Sequence, residues 1–218
     1  KMINLASKSG VDAVKFQTYK TSFFINKNDK KRFKKLKNFE LSYAQFKNLK
    51  KIANKLGLLF ISTPFDLESA NFLSKNSDII KIASSDNNFF KLIDVVLKSK
   101  KPVIVSTGLA NISEIKRIVL LAKKILKSKF NKNFALLHCV SAYPVEPKYA
   151  NLNSIKFLKE KFNCIIGYSD HTIGNEASLV AISLGAKIIE KHFTINKKYS
   201  SFRDHQLSAD FTDLKNIV

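Results

Sequence analysis

The chain has 218 residues, 45% of them hydrophobic, an ordinary globular composition that is long enough to bury one sizeable core. Its 38 Lys and Arg against 17 Asp and Glu give a net charge of +21, which raises nucleic acid or an anionic membrane surface as partners, but the lysines are spread over nearly every predicted helix, and solvated lysine faces account for them. No apolar run approaches the roughly eighteen residues of a membrane span, no secretory leader is visible, and Cys139 and Cys164 sit inside apolar runs as small buried hydrophobes, so the expectation is a cytoplasmic protein without disulfides, membrane or nucleic acid.

In chain order, KMINLASKSG reads as the second half of an amphipathic helix, as if the chain opened in mid-domain. A strand, VDAVKFQ (11–17), follows. The basic run KNDKKRFKKLKN (27–38) is either a flexible loop or a means of drawing in an anionic substrate. A helix at about 40–56 leads to the strand LLFISTPF (58–65), a helix at 67–75 to DIIKIAS (78–84), and a helix at 88–100 to PVIVSTG (102–108). Asn111, with Glu114 three residues on, signals the start of a helix over 112–128. Then come FALLHCV (134–140), a helix over 151–162 headed by Asn151, CIIGYSD (164–170), a helix over 175–184, AKIIEKHF (186–193) and a last helix opening near Asp210.

Repeated βα units with near-continuous apolar strands predict a parallel sheet covered on both faces. An open dinucleotide-binding sheet would show a glycine-rich turn after an early strand, and no G-x-G-x-x-G occurs among six glycines. Polar residues instead gather at the C-terminal ends of the strands: Lys15 and Gln17, Ser62 and Thr63, Lys81 and Ser84, Ser106 and Thr107, His138, Ser169 and His171, Glu190 and His192. That is where a (β/α)8 TIM barrel builds its site. With seven strands recognisable, residues 1–218 are expected to be a partial barrel lacking the first strand and cut in the last helix.

The period of two along a strand sorts these residues further. In GYSDHT, Ser169 and His171 share a face while Asp170 points away, so Ser-Asp-His is not a triad by adjacency. In EKHFT, Glu190 and His192 share a face with Lys191 opposite. His171 and His192 would then stand side by side at the barrel mouth, either as ligands of a divalent metal or as separately hydrogen-bonded core histidines. Lys15 and Lys81 interrupt apolar strands. With Ser84, Ser106 and Ser169 they would cradle a phosphate or carboxylate; the alternative is a structural ion pair to Asp66 or Glu190.

Taken together and in order, VDAVKFQTYK, FISTPFD, KIAS, PVIVSTG, LLHCVSAYP, IGYSDHT and GAKIIEKHFT resemble the catalytic barrel of the sialic acid synthase family, which includes the N-acetylneuraminate, legionaminate and pseudaminate synthases. The resemblance implies a transferase that condenses phosphoenolpyruvate with an N-acetylmannosamine-type amino sugar and water, releasing phosphate. It implies that His171 and His192 hold a divalent metal, manganese or magnesium, and that Lys15, Lys81, Ser84, Ser106 and Ser169 hold phosphoenolpyruvate. Gln17, Tyr143 and Asp204 would face the sugar, with Thr63 lining the site between the two. Lys15, Lys81, His171 and His192 are thereby the expected catalytic set. The family's first-strand glutamate and its C-terminal antifreeze-like domain, which in a swapped homodimer sends an arginine into the partner's site, have no counterpart in this sequence. Ser141 stands where sialic acid synthases often carry Asn, and FRDHQLS keeps Asp204 while placing Arg203 at the mouth, so both bear on which sugar is used.

Overall fold

The computed structural model describes residues 1–200 and 202–218, with the side chain of Arg203 outside the description. Seven parallel strands make one sheet in chain order: β1 (Ala13–Thr18), β2 (Leu59–Pro64), β3 (Ile79–Ile82), β4 (Val103–Ser106), β5 (Phe134–Cys139), β6 (Ile165–Asp170) and β7 (Ile189–Lys191). Each overlaps a segment expected from the sequence. Parallel neighbours need a crossover, and the helices Tyr43–Lys55, Leu67–Asn76, Phe90–Lys98, Ile112–Leu126, Ser154–Phe162 and Glu176–Ser183 supply one between successive strands from β1 to β7. The sheet curls on itself: Lys15 on β1 and Glu190 on β7 come within 3.5 Å although their strands are the two ends of the ladder. This is an α/β arrangement consistent with a TIM-type barrel.

Two apolar layers follow from the strand period. Facing outward, Ile80, Ile82, Val103, Val105, Leu136 and Ile166 meet helix residues such as Leu92, Ile93, Val96, Ile118 and Leu158 in the main core. Facing inward, Ile61, Ile104, Ala135 and Leu137 form a smaller cluster. Ile61, Ile104 and Leu137 each precede a cavity residue by two positions (Thr63, Ser106 and Cys139), so they make an apolar floor beneath the polar mouth.

Local chemistry sets the helix starts. Asn111 Oδ1 accepts from the Glu114 N–H at 3.0 Å, and the Glu114 carboxylate accepts from the Asn111 N–H at 2.7 Å, the reciprocal cap expected from the sequence. Ser42 and Gln45 do the same for Tyr43–Lys55. Asn151 does not cap the next helix: it sits at φ 48°, and the helix begins at Ser154 after an intervening turn. The basic run is not a loop. Asp29 caps it by accepting from the Arg32 N–H at 3.1 Å, and Lys30–Phe39 is helical. Among the described residues no helix is long and apolar enough to cross a membrane.

Candidate active site

A single cavity of about 270 Å³ opens at the C-terminal ends of the strands and gathers the residues singled out from the sequence. Lys15 and Gln17 come from β1, Thr63 from β2, Lys81 from β3, Ser106 from β4 and Ser169 from β6. His171 and His192 follow immediately after β6 and β7. Ser84 lies in the 3-10 turn after β3, Tyr143 in the loop after β5, and Asp204 in the short helix Arg203–Leu207. The Arg203 side chain lies outside the described residues. Three polar strand-end residues turn away from the cavity instead. Ser62 pairs with Thr18 at 2.8 Å, Thr107 donates to the Leu137 carbonyl at 3.1 Å, and His138 Nε2 lies 2.7 Å from the Ala150 carbonyl while its ring stacks on Tyr168.

Glu190 is the hub of the charged wall. Its carboxylate lies 3.5 Å from Lys15 Nζ and 3.6 Å from Lys81 Nζ, and accepts from Ser169 Oγ at 2.8 Å. Burial pushes this carboxyl up, but the two lysines and the Ser169 hydroxyl prevail and hold it at about 2. Lys81 is 3% exposed and donates to Ser106 Oγ at 2.6 Å. Burial draws its ammonium below the usual lysine value, even with Glu190 beside it. Both alternatives read from the sequence therefore meet at one place, because the lysines that could cradle an anion are steadied by Glu190. Asp66, the other candidate partner, instead caps Leu67–Asn76 by accepting from the Ser69 N–H at 2.7 Å.

The imidazoles of His171 and His192 face each other with ring centroids 5.4 Å apart, and Tyr143 lies over His171 at 4.1 Å. His171 Nδ1 is 2.9 Å from the Val140 carbonyl, which can only accept, so Nδ1 carries a hydrogen, and in the neutral ring it is Nε2 that presents the lone pair. Burial opposes charging of His171, but the Cys139 sulfur, 3.9 Å from Nδ1, and the Val140 carbonyl outweigh it and raise its pKa. His192 is held neutral, at about 4, by burial and by the nearby charges of Lys15 and His171, against Asp204 at 3.9 Å and Glu190. Among the described residues no group of three or more His, Cys, Asp and Glu is placed to hold a metal. The two imidazoles suit a divalent cation whose remaining positions stay open to water or substrate.

On the back of the histidine strands, Asp170 is fully buried and accepts from Lys191 Nζ (2.8 Å), Ser178 Oγ (2.7 Å) and both the N–H and Oγ1 of Thr172 (2.8 Å each). The outward orientation expected for Asp170 and Lys191 is thus observed.

The cavity also holds residues that sequence reasoning passed over as site residues. Cys139 hid inside an apolar run, although strand alternation places it inward, two positions beyond Leu137. Burial pushes its thiol up, and His171, Ser84 and Lys81 more than offset that, leaving it below the usual value. Ser141 and Ser84 converge on Gly108, where an added Cβ would stand 2.6 and 2.7 Å from their hydroxyl oxygens. Ser84 Oγ has the Cys139 thiol beside it, while Ser141 Oγ and Thr63 Oγ1 are buried, line the cavity and have no hydrogen-bond partner within the chain. A polar ligand would satisfy them.

Residues 2–218 match the NeuB family. The chain is 45% identical over 218 residues to an uncharacterized protein of Methanocaldococcus jannaschii, covering 100% of this chain and 63% of that protein. It is 37% identical over 230 residues to the N,N'-diacetyllegionaminic acid synthase of Campylobacter jejuni, covering 99% of this chain and 68% of that enzyme. A crystal structure of the N-acetylneuraminic acid (sialic acid) synthetase from Leptospira borgpetersenii, in complex with citrate, superposes with a TM-score of 0.90 at 36% identity, covering 99% of this chain and 74% of that one. The chain thus spans only part of each relative's length.

Proposed function

The chain belongs to the NeuB family, and on that premise we propose that it condenses phosphoenolpyruvate with an N-acetylmannosamine-type sugar and water to give a nonulosonic acid and phosphate. The observation that carries the reading is Lys81: an ammonium only 3% exposed, 2.6 Å from Ser106 Oγ, inside the same cavity as two facing imidazoles. A buried lysine beside unpartnered hydroxyls suits an anion, and facing imidazoles suit a divalent cation.

Lys15 and Lys81 bind the phosphate and carboxylate of phosphoenolpyruvate, and Ser84, Ser106 and Ser169 donate to their oxygens. Gln17, Tyr143 and Asp204 position the sugar in its open-chain form, and Thr63 lies where the two substrates meet. His171 and His192 would hold manganese or magnesium, which when bound supplies Lewis-acid polarisation of the sugar aldehyde. C3 of phosphoenolpyruvate forms the new bond to the aldehyde carbon, whose oxygen gains a proton. Positive charge that develops at C2 is quenched by water, which loses a proton, and the resulting tetrahedral carbon expels phosphate with the C–O electron pair as its hydroxyl gives up the remaining proton and becomes the keto oxygen. Both lysines stabilise that departing charge, fixed in place beforehand by Glu190.

The test is phosphate release that requires phosphoenolpyruvate, an N-acetylated mannosamine-type sugar and a divalent metal together. It is made on this chain and on a version extended to the length of its relatives. Absence of release from the extended protein with every N-acetylated hexosamine tried would end the proposal.

A further inference from the structure

The helix Lys30–Phe39 carries Lys30, Lys31, Arg32, Lys34, Lys35 and Lys37 and no carboxylate. Phe33 and Leu36, three positions apart, are half-buried, so the six cations stand in solvent around them. Two contacts place this helix beside the cavity mouth. Lys35 Nζ lies 4.9 Å from the centre of the Phe202 ring, next to the short helix whose Asp204 lines the cavity. Tyr19 Oη donates to the Leu36 carbonyl at 3.0 Å, and Tyr19 comes two residues after Gln17, another lining residue. Asp29 caps the helix by accepting from the Arg32 N–H and Glu40 pairs with Lys37, so these two neighbouring carboxylates offset part of the six charges and leave the helix strongly positive.

We propose that this helix is an electrostatic guide that raises the rate at which a small phosphorylated anion enters the cavity. The identity of that anion as phosphoenolpyruvate rests on the function proposed above. Six like charges on a rod about 15 Å long make a field that reaches roughly 10 Å into solvent of moderate salt. Inside the mouth, Lys15 and Lys81 stand together beside Glu190 on one wall, with Asp204 also lining the cavity, so the lysines give the anion its place to dock after capture. Fields of this kind increase capture rates without adding any contact to the bound ligand.

The experiment follows phosphoenolpyruvate association by stopped flow, using tyrosine emission in a protein that has no tryptophan. One variant combines Lys30→Gln, Lys31→Gln, Lys34→Gln and Lys35→Gln, exchanges that preserve helix propensity. A second, Lys124→Gln with Lys127→Gln, Lys129→Gln and Lys132→Gln, removes the same charge where Ile112–Leu126 and the residues after it return to the N-terminal end of β5, away from the mouth. The first variant should lower the association rate constant about tenfold at low salt, leave dissociation within about twofold, and match the wild type near 0.5 M salt, while the second changes little. Equal losses in both variants, or none in the first, would overturn the guide. So would a salt-sensitive nucleic-acid complex that the first variant abolishes while phosphoenolpyruvate association is unaltered. Wild-type protein that binds no phosphoenolpyruvate would remove the synthase reading together with the guide, whereas binding indifferent to the four substitutions removes the guide alone.

Discussion

Lys191 Nζ donates to Asp170 Oδ2 at 2.8 Å on the outer side of the two strands that lead into His192 and His171 on the inner side. Each charge sits one residue before a histidine, so the ion pair joins β6 to β7 at the level where the imidazoles meet. Lys191→Met leaves a fully buried carboxylate without its counter-charge and should cost about 3–5 kcal/mol in urea unfolding. Adding Asp170→Asn should recover part of the loss; a double variant no more stable than the single would show that the pair does not act as a unit.

His171→Ala and His192→Ala should each weaken Mn²⁺ binding by more than about a hundredfold in calorimetric titration, since removing a ligand exceeds the effect of removing its supports. Dialysis against a chelator should stop phosphate release, and added Mn²⁺ or Mg²⁺ should restore it. Unchanged Mn²⁺ affinity in either variant would exclude that histidine as a ligand.

Lys81→Met should reduce phosphoenolpyruvate affinity about 10–100-fold, the loss of a charge-assisted contact, while changing stability little. The reason for the second half is that a buried ammonium is itself costly and Glu190 keeps Lys15. Calorimetry beside thermal unfolding separates the two effects. A large drop in the unfolding midpoint with binding intact would make Lys81 a structural residue.

Glu40 accepts from the Thr21 N–H at 2.9 Å and Thr21 Oγ1 at 2.7 Å, and lies 2.9 Å from Lys37 Nζ. Burial pushes its carboxyl up, but these partners prevail and hold it at about 2, below the ordinary 4.5. A depressed folded-state value gives stability that is complete above about pH 4.5 and is lost as pH falls through about 2. Glu40→Gln should therefore cost about 2 kcal/mol at neutral pH, discounted for the exposure of Lys37, and progressively less in acid until the two proteins coincide near pH 2. A difference that stays constant down to pH 2 would refute this assignment.

Much of this molecule is legible in its sequence because strand alternation does two jobs at once. It placed Ser169 and His171 inward with Asp170 outward, and the same rule applied to EKHFT paired Glu190 with His192. The same rule along FALLHCV turns His138 out and Cys139 in, a distinction that the apolar run around them hides. The helix Lys30–Phe39 escaped because only Phe33, Leu36 and Phe39 are apolar among six cations, so no face wide enough to signal a core appears, and its Asp29 cap was the readable sign. The convergence of Ser84 and Ser141 at Gly108 arises from loops on different βα units, a proximity that no local pattern encodes.

Lys15 and Glu190 belong to strands that share no backbone ladder, yet their side chains meet in the cavity wall. The two ends of the curled sheet are therefore latched by the same charges that would grip an incoming anion. A ligand that recruits Lys15 trades one hold on those ends for another, which makes occupancy of the cavity visible from outside it: amide exchange along β1 and β7 would report whether the latch is engaged, even when no turnover occurs.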